Sequence, residues 1–173
     1  MWRRVAIACG AASCLAVSTG SSASSVILHA VDGAERFAIE RAVSGASQRL
    51  ENPDCQRVLT DFTDASGRTL AENLVQFGKT PVEFFNELYW VDDRETPCCL
   101  RRGTLAFTAP GHRVIRVCGR RFAEVSQSRP IYGDAILIHE MLHALGLGEK
   151  PPSSSDITRQ VLARCSQLCK SEV

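Results

Sequence analysis

The sequence predicts a mixed α+β fold in one compact domain, with helices towards both ends and strands in the middle. Apolar residues recur at helical spacing in residues 35–50, whereas residues 105–108 and 114–118 are short apolar runs typical of strands. The chain has 173 residues, 45% of them hydrophobic, which suffices for a packed core. Because 20 basic residues balance 19 acidic ones, we do not expect a nucleic-acid-binding surface, which needs a basic excess.

The first 23 residues have the layout of a secretory signal peptide. Arg3 and Arg4 precede an uncharged apolar run, and small residues offer a cleavage site after Ala23. The run is too short for a convincing membrane span, so stable membrane insertion is not expected. We predict a secreted protein, extracellular or periplasmic, in which residues 24–173 form one domain and act as a monomer. An uncleaved anchor or a buried N-terminal helix is the alternative.

Cleavage would remove Cys9 and Cys14 from the eight cysteines and leave an even number, which indicates disulfides in an exported protein. The remaining cysteines are Cys55, Cys98, Cys99, Cys118, Cys165 and Cys169. Adjacent Cys98 and Cys99 rarely join each other, and Cys165 and Cys169, one helical turn apart, are poorly placed for a direct bridge. All other pairings stay open.

Two further helices are expected before the middle of the chain. Residues 69–77 have inward apolar positions and stop at Gly78. Thr80, Pro81 and Glu83 have the spacing of a capping box with proline at the first helical position, so residues 81–90 should be helical.

The segment that follows carries polar and basic residues. Residues 91–103 include the Cys98–Cys99 pair and are predicted to form a disulfide-linked loop. Arg120 and Arg121 come after the strand at 114–118 and indicate a solvated face, with contact to a substrate as the alternative.

The most informative stretch is residues 133–145, whose helical periodicity ends at Gly146. His139 and His143 are four residues apart, so both imidazoles project from one face of the helix and can bind a single metal ion. Glu140 directly follows the first histidine. Its carboxylate would lie beside a water held by that metal, where it could accept a proton.

This pattern resembles the active-site helix of the zincin metalloproteases and, more narrowly, of the metzincins, whose motif is His-Glu-x-x-His-x-x-Gly-x-x-His. His139, Glu140, His143 and Gly146 match it, and Glu149 stands in the last position. Glutamate is a competent oxygen ligand for zinc. The methionine turn from which metzincins take their name has no counterpart, since no methionine follows the motif.

The resemblance implies a zincin-like domain with one Zn²⁺ per chain, held by His139, His143 and Glu149. It also implies a zinc endopeptidase with a protein or peptide substrate, in which Glu140 takes a proton from zinc-activated water and passes it to the leaving amine. Other zincin branches take the third ligand further downstream, and Asp156 is the alternative there. Otherwise Asp156 is an ordinary acidic residue at a helix start.

Further expectations concern the surroundings of the site. In zincins a strand before the active-site helix pairs with the extended substrate, and residues 114–118 are the expected edge strand. A final helix, whose apolar face includes Ile157, Cys165 and Cys169, is expected to pack under the metal helix. Tyr132 and His112 are candidates for stabilising an oxyanion, although both are more often structural.

A second hypothesis is a secreted, disulfide-stabilised binding protein with a structural or degenerate zinc site. A structural site is closed by a fourth ligand, which Asp156 could supply, whereas a catalytic site keeps one position open. A third hypothesis is a zymogen or degenerate protease whose N-terminal helices block the cleft.

Overall fold

Helices and a small sheet make up the part of the chain that the computed structural model describes, residues 28–29 and 33–167. The predicted signal peptide, residues 1–23, lies outside the described residues. The fold is mixed α+β, which confirms the predicted class. None of the described helices combines the length and the apolarity needed to cross a membrane.

The elements, in chain order, are β1 (Leu28–His29), α1 (Gly33–Leu50), α2 (Pro53–Gln56), α3 (Val58–Asp61), α4 (Leu70–Gln76), α5 (Pro81–Asn86), β2 (Tyr89–Asp92), α6 (Pro97–Leu100), β3 (Ala106–Phe107), β4 (Val114–Val117), α7 (Gly119–Ser128), α8 (Pro130–Ala144) and α9 (Ser154–Cys165).

The described strands form one sheet with the order β1-β2-β4-β3. β2 lies between β1 and β4 and pairs parallel with both, whereas β3 pairs antiparallel with β4. The prediction that residues 114–118 form an edge strand is wrong, because β2 and β3 flank β4 on its two sides. Within the described sheet the edge next to β4 is β3.

The helix predicted for residues 81–90 is correct at its start and wrong at its end. Thr80 accepts a bond from the backbone N–H of Glu83, and the Glu83 carboxylate accepts one from the backbone N–H of Thr80, as the capping box requires. The helix stops at Asn86, and Trp90 lies in β2, fully buried, with its ring 5.4 Å from that of Phe85. Long-range pairing with β4 overrides the local helical signal here.

The sequence analysis did not predict α7. Arg120 and Arg121 begin this helix, and Phe122 is fully buried on its inner face. Arg120 is exposed and pairs with Glu124 one turn later, so it lies on the solvated face of the helix.

Helix α8, which carries the two predicted histidine ligands, is buried from Gly133 to Ala144 and is anchored near its start by an ion pair. Asp134 lies 3.0 Å from Arg49 Nε and 3.6 Å from Arg41 Nη1, both on α1. Burial raises the pKa of Asp134, and the two arginines oppose that rise. Gly45 allows the close approach of α1 and α8, because a Cβ atom there would lie 2.5 Å from the Asp134 carboxylate.

Two disulfides cross-link the described chain. Cys55–Cys165 joins α2 to the end of α9, and Cys99–Cys118 joins α6 to the residue before α7. Both belong to the pairings that the sequence left open. Cys98 is unpaired among the described residues, and Cys169 lies outside them. The disulfides indicate that the protein matures in an oxidising environment.

The close contact at Gly45 predicts a stability change of unusual sign. Replacing a helical glycine by alanine ordinarily stabilises a helix by about 1 kcal/mol. We expect Gly45→Ala instead to lower the free energy of unfolding by about 1–3 kcal/mol, because the new methyl group displaces Asp134 from its arginine partners. Urea unfolding would measure this, with exposed Ser44→Ala on the same helix as the matched control. A Gly45→Ala protein as stable as the wild type would contradict the prediction.

Candidate metal centre

Helix α8 brings the two predicted histidine ligands together. His139 and His143 are both buried, and their Nε2 atoms are 2.9 Å apart. Their four-residue spacing places them one above the other on the same face of the helix, as predicted. Glu149 follows the helix, half exposed, with Oε1 3.3 Å from His143 Nε2 and 3.7 Å from His139 Nε2.

The C-terminal end of α8 explains how Glu149 returns to the histidines. Gly146 has φ of 110°, in the region that favours glycine, and its N–H bonds to the carbonyl oxygen of His143. The N–H of Leu147 bonds to the carbonyl oxygen of Leu142. Together these bonds form a Schellman turn, which reverses the chain directly after the helix.

Hydrogen bonds fix the tautomer of the His143 ring and allow two tautomers for the His139 ring. His143 Nδ1 lies 2.7 Å from the carbonyl oxygen of Leu147, which can only accept, so this nitrogen carries the proton and Nε2 presents a lone pair. His139 Nδ1 lies 2.9 Å from Thr158 Oγ1 on α9. The buried threonine hydroxyl can accept the His139 proton, and Nε2 of His139 then presents a second lone pair towards the first. In this tautomer two lone pairs face each other at 2.9 Å and repel unless a cation lies between them, whereas in the other tautomer His139 Nε2–H donates to His143 Nε2.

The three donor atoms have the spacing that zinc requires. Tetrahedral zinc with bonds of about 2.0–2.1 Å holds its ligand atoms about 3.3 Å apart. The separations among His139 Nε2, His143 Nε2 and Glu149 Oε1 are 2.9, 3.3 and 3.7 Å, which bracket that value. Two imidazoles and one carboxylate also match a donor set used by catalytic zinc. The residues present can therefore hold a metal ion.

Charge effects at the site favour ligand forms of the histidines. Burial, together with the charge of His143, lowers the pKa of His139 to about 3, so its ring is neutral near neutral pH. Burial and the nearby Glu149 carboxylate raise the pKa of Glu140 to about 8, while a hydrogen bond from the backbone of Thr108 opposes the rise. Oε2 of Glu140 is buried and has no partner among the described residues. A cation beside this carboxylate would favour its ionised form.

The alternative third ligand is engaged elsewhere. Asp156 accepts hydrogen bonds from Ser153 and Arg159 at the start of α9, which is the ordinary helix-start role. It is not part of the group formed by the two histidines and Glu149.

A cleft of about 940 Å³ opens onto the metal centre. The two histidines, Glu140 and Glu149 all line it, and Phe107 contributes from β3. The remaining lining residues come mainly from residues 101–110, from α8 and from the first half of α9.

The two oxyanion candidates have different positions. Tyr132 lines the cleft, with the Arg129 guanidinium 4.9 Å from its ring centre. His112 is exposed and does not line the cleft. The sequence analysis missed Thr158 and Thr108, the two partners of the site from other elements. Neither lies in a recognisable motif, since only the tertiary fold brings them to α8.

No protein-family model, curated protein or solved structure matches this chain. The functional interpretation therefore rests on the residues and geometry of the site.

The donor geometry predicts the effect of ligand substitutions on metal binding. We expect about one Zn²⁺ per chain, lost in His143→Ala, and an affinity lowered more than about a hundredfold in Glu149→Gln. Asp156→Asn is the matched control, because this carboxylate lies outside the donor group, and it should bind zinc like the wild type. Metal analysis after dialysis and competition with a chelating dye would measure both quantities. Equal affinities for Glu149→Gln and the wild type would remove Glu149 from the ligand set.

The turn after α8 gives a second prediction. Gly146→Ala should lower the free energy of unfolding by about 1–3 kcal/mol, because alanine is strained at a φ of 110°. It should also weaken zinc binding, since the turn positions both Glu149 and the carbonyl partner of His143. Gly148→Ala lies in the same loop with open space around the added methyl group, and it should change neither property. Thermal unfolding and zinc titration of the two variants test this, and equal behaviour would contradict the role of the turn.

Proposed function

We propose that the protein is a secreted, zinc-dependent endopeptidase with a metzincin-like site. One observation carries the proposal. Three convergent metal donors and a buried carboxylate oxygen without a described partner, Oε2 of Glu140, line the same cleft. Purely structural zinc sites need no such carboxylate, whereas peptide hydrolysis needs a group that accepts and returns a proton.

His139, His143 and Glu149 would hold the zinc. When bound, zinc supplies Lewis-acid chemistry, in that it lowers the pKa of water and polarises a carbonyl group. The second ring nitrogens of the histidines are held by Thr158 and by the carbonyl oxygen of Leu147, and such partners fix ring orientation and increase ligand basicity.

Glu140 is the proton carrier in the proposed reaction. It follows a ligand in sequence and lies in the same cleft, so its carboxylate is close to the reacting atoms. Its Oε2 can accept the proton of the attacking water and return it to the leaving amine. The hydrogen bond from the backbone of Thr108 keeps the carboxylate oriented during both transfers.

The sheet offers a place for an extended peptide. β3 is an edge strand of the described sheet, and both of its residues, Ala106 and Phe107, line the cleft. A peptide can add to such an edge through main-chain hydrogen bonds, which gives affinity without a demand on its sequence. In this proposal β3, and not residues 114–118, is the strand that pairs with the substrate.

The structural-zinc alternative has less support. A structural site would be closed by a fourth protein ligand. Asp156, the residue considered for that part, is paired with Ser153 and Arg159 instead. Among the described residues the candidate group has three members, which leaves a position for water or substrate.

Substitution of the proton carrier tests the proposal. Glu140→Gln keeps the size of the side chain and its hydrogen-bonding capacity but cannot accept a proton from water. We expect kcat/KM for peptide hydrolysis to fall about 10²–10⁴-fold, with zinc content and thermal stability close to those of the wild type. A fluorogenic peptide library would measure the activity.

Glu124→Gln is the matched control, since Glu124 lies on the surface in α7 and pairs with Arg120. It should keep full activity. A folded, zinc-loaded Glu140→Gln protein with wild-type activity would disprove the mechanism. A zinc-loaded wild type that cleaves no peptide would favour the binding-protein hypothesis.

A further inference from the structure

Arginines outnumber carboxylates among the side chains that line the cleft beside the candidate metal centre. Three arginines line it, Arg101, Arg102 and Arg159, whereas its carboxylates are Glu140 and Glu149, both of which belong to the metal centre. A bound divalent cation would offset the charge of those carboxylates. The wall of the cleft formed by the arginines would then carry positive charge towards the substrate.

The three arginines differ in their partners. Arg159 forms an ion pair with Asp156, so its charge is largely neutralised. Arg101 and Arg102 are exposed, and neither guanidinium forms an ion pair or hydrogen bond with another described residue. The guanidinium groups of these two sequence neighbours are therefore available to bind an anion. Guanidinium groups form paired, charge-assisted hydrogen bonds with carboxylates.

The loop that carries this pair is firmly held. Arg121 Nη1 lies 2.9, 2.6 and 3.1 Å from the carbonyl oxygens of Cys99, Arg101 and Thr104. The Cys99–Cys118 disulfide fastens the same segment to the start of α7. These contacts fix the backbone from which the side chains of Arg101 and Arg102 extend at the cleft. Such pre-organisation reduces the entropy lost when a ligand binds.

We propose that Arg101 and Arg102 form a subsite that binds a carboxylate of the peptide substrate, so that the enzyme prefers acidic peptides. This inference rests on the proposed peptidase function and names its substrate class. The carboxylate can come from an aspartate or glutamate side chain or from the C-terminus of the peptide. Arg121, which the sequence singled out, acts as a support for the subsite instead of a contact.

Matched peptides test the proposal with the zinc-loaded protein. One series places glutamate or glutamine at each position around the scissile bond, and a second compares free and amidated C-termini. For the wild type at low salt we expect kcat/KM to be roughly tenfold higher for the peptide with the carboxylate, and the preference to shrink as salt rises. The series in which the preference occurs identifies the source of the carboxylate.

Arg101→Gln/Arg102→Gln should abolish the preference while hydrolysis of the neutral peptides continues. Arg120→Gln is the matched control, because Arg120 does not line this cleft, and it should keep the preference. A wild type without preference in either series, or a double variant that retains it, would overturn the proposal.

A binding measurement separates this inference from the proposed activity. Fluorescence anisotropy of the same labelled peptides with the zinc-loaded Glu140→Gln protein reports recognition without turnover. If no peptide is cleaved but the acidic peptide binds more tightly through Arg101 and Arg102, the peptidase proposal fails and the subsite stands. If peptides are cleaved and neither binding nor hydrolysis depends on the carboxylate, the subsite fails and the peptidase stands.

Discussion

Burial of polar groups on α8 is the constraint on which the rest of the structure depends. This helix is enclosed from Gly133 to Ala144, yet it holds Asp134, His139, Glu140 and His143. Each buried polar group costs free energy unless another group compensates it. Arginines of α1 compensate Asp134 near the start of the helix. Towards its end, one oxygen of Glu140 has no partner among the described residues, and the Nε2 atoms of the two histidines face each other at 2.9 Å. All three residues line one cleft.

The support for these groups comes from outside the helix. Thr158 lies on α9, Thr108 directly follows β3, and the carbonyl oxygen of Leu147 belongs to the turn after the helix. The disulfides lie close to this support in sequence. Cys165 ends the helix that carries Thr158, and Cys99 precedes the loop that leads into β3. The cross-links thus stabilise the elements that orient the donors as well as the chain as a whole.

The sequence predicted correctly those features that depend on interactions between residues close together in the chain. The capping box at Thr80 and the motif from His139 to Glu149 each involve residues close together in sequence, so local patterns were enough to predict them. The first half of β2 was predicted as helix and its second half as loop, because parallel pairing with β4 has no local signal. α7 was not predicted because the charged Arg120 and Arg121 indicated an exposed segment, although Phe122 directly after them is buried. The contact between Thr158 and His139 could not be predicted from the sequence, because it depends on the turn after α8 and on how α9 packs.

The positions of these partners along the chain have a consequence for biosynthesis. A growing chain releases His139, Glu140 and His143 before Glu149 and Thr158. The partners of the rings are therefore complete only when the first half of α9 has left the ribosome. An incomplete chain has two histidines without their full set of partners, and such a pair binds metal weakly. A metal ion at this site would therefore meet its full set of ligands and their hydrogen-bond partners only once the chain has emerged as far as Thr158.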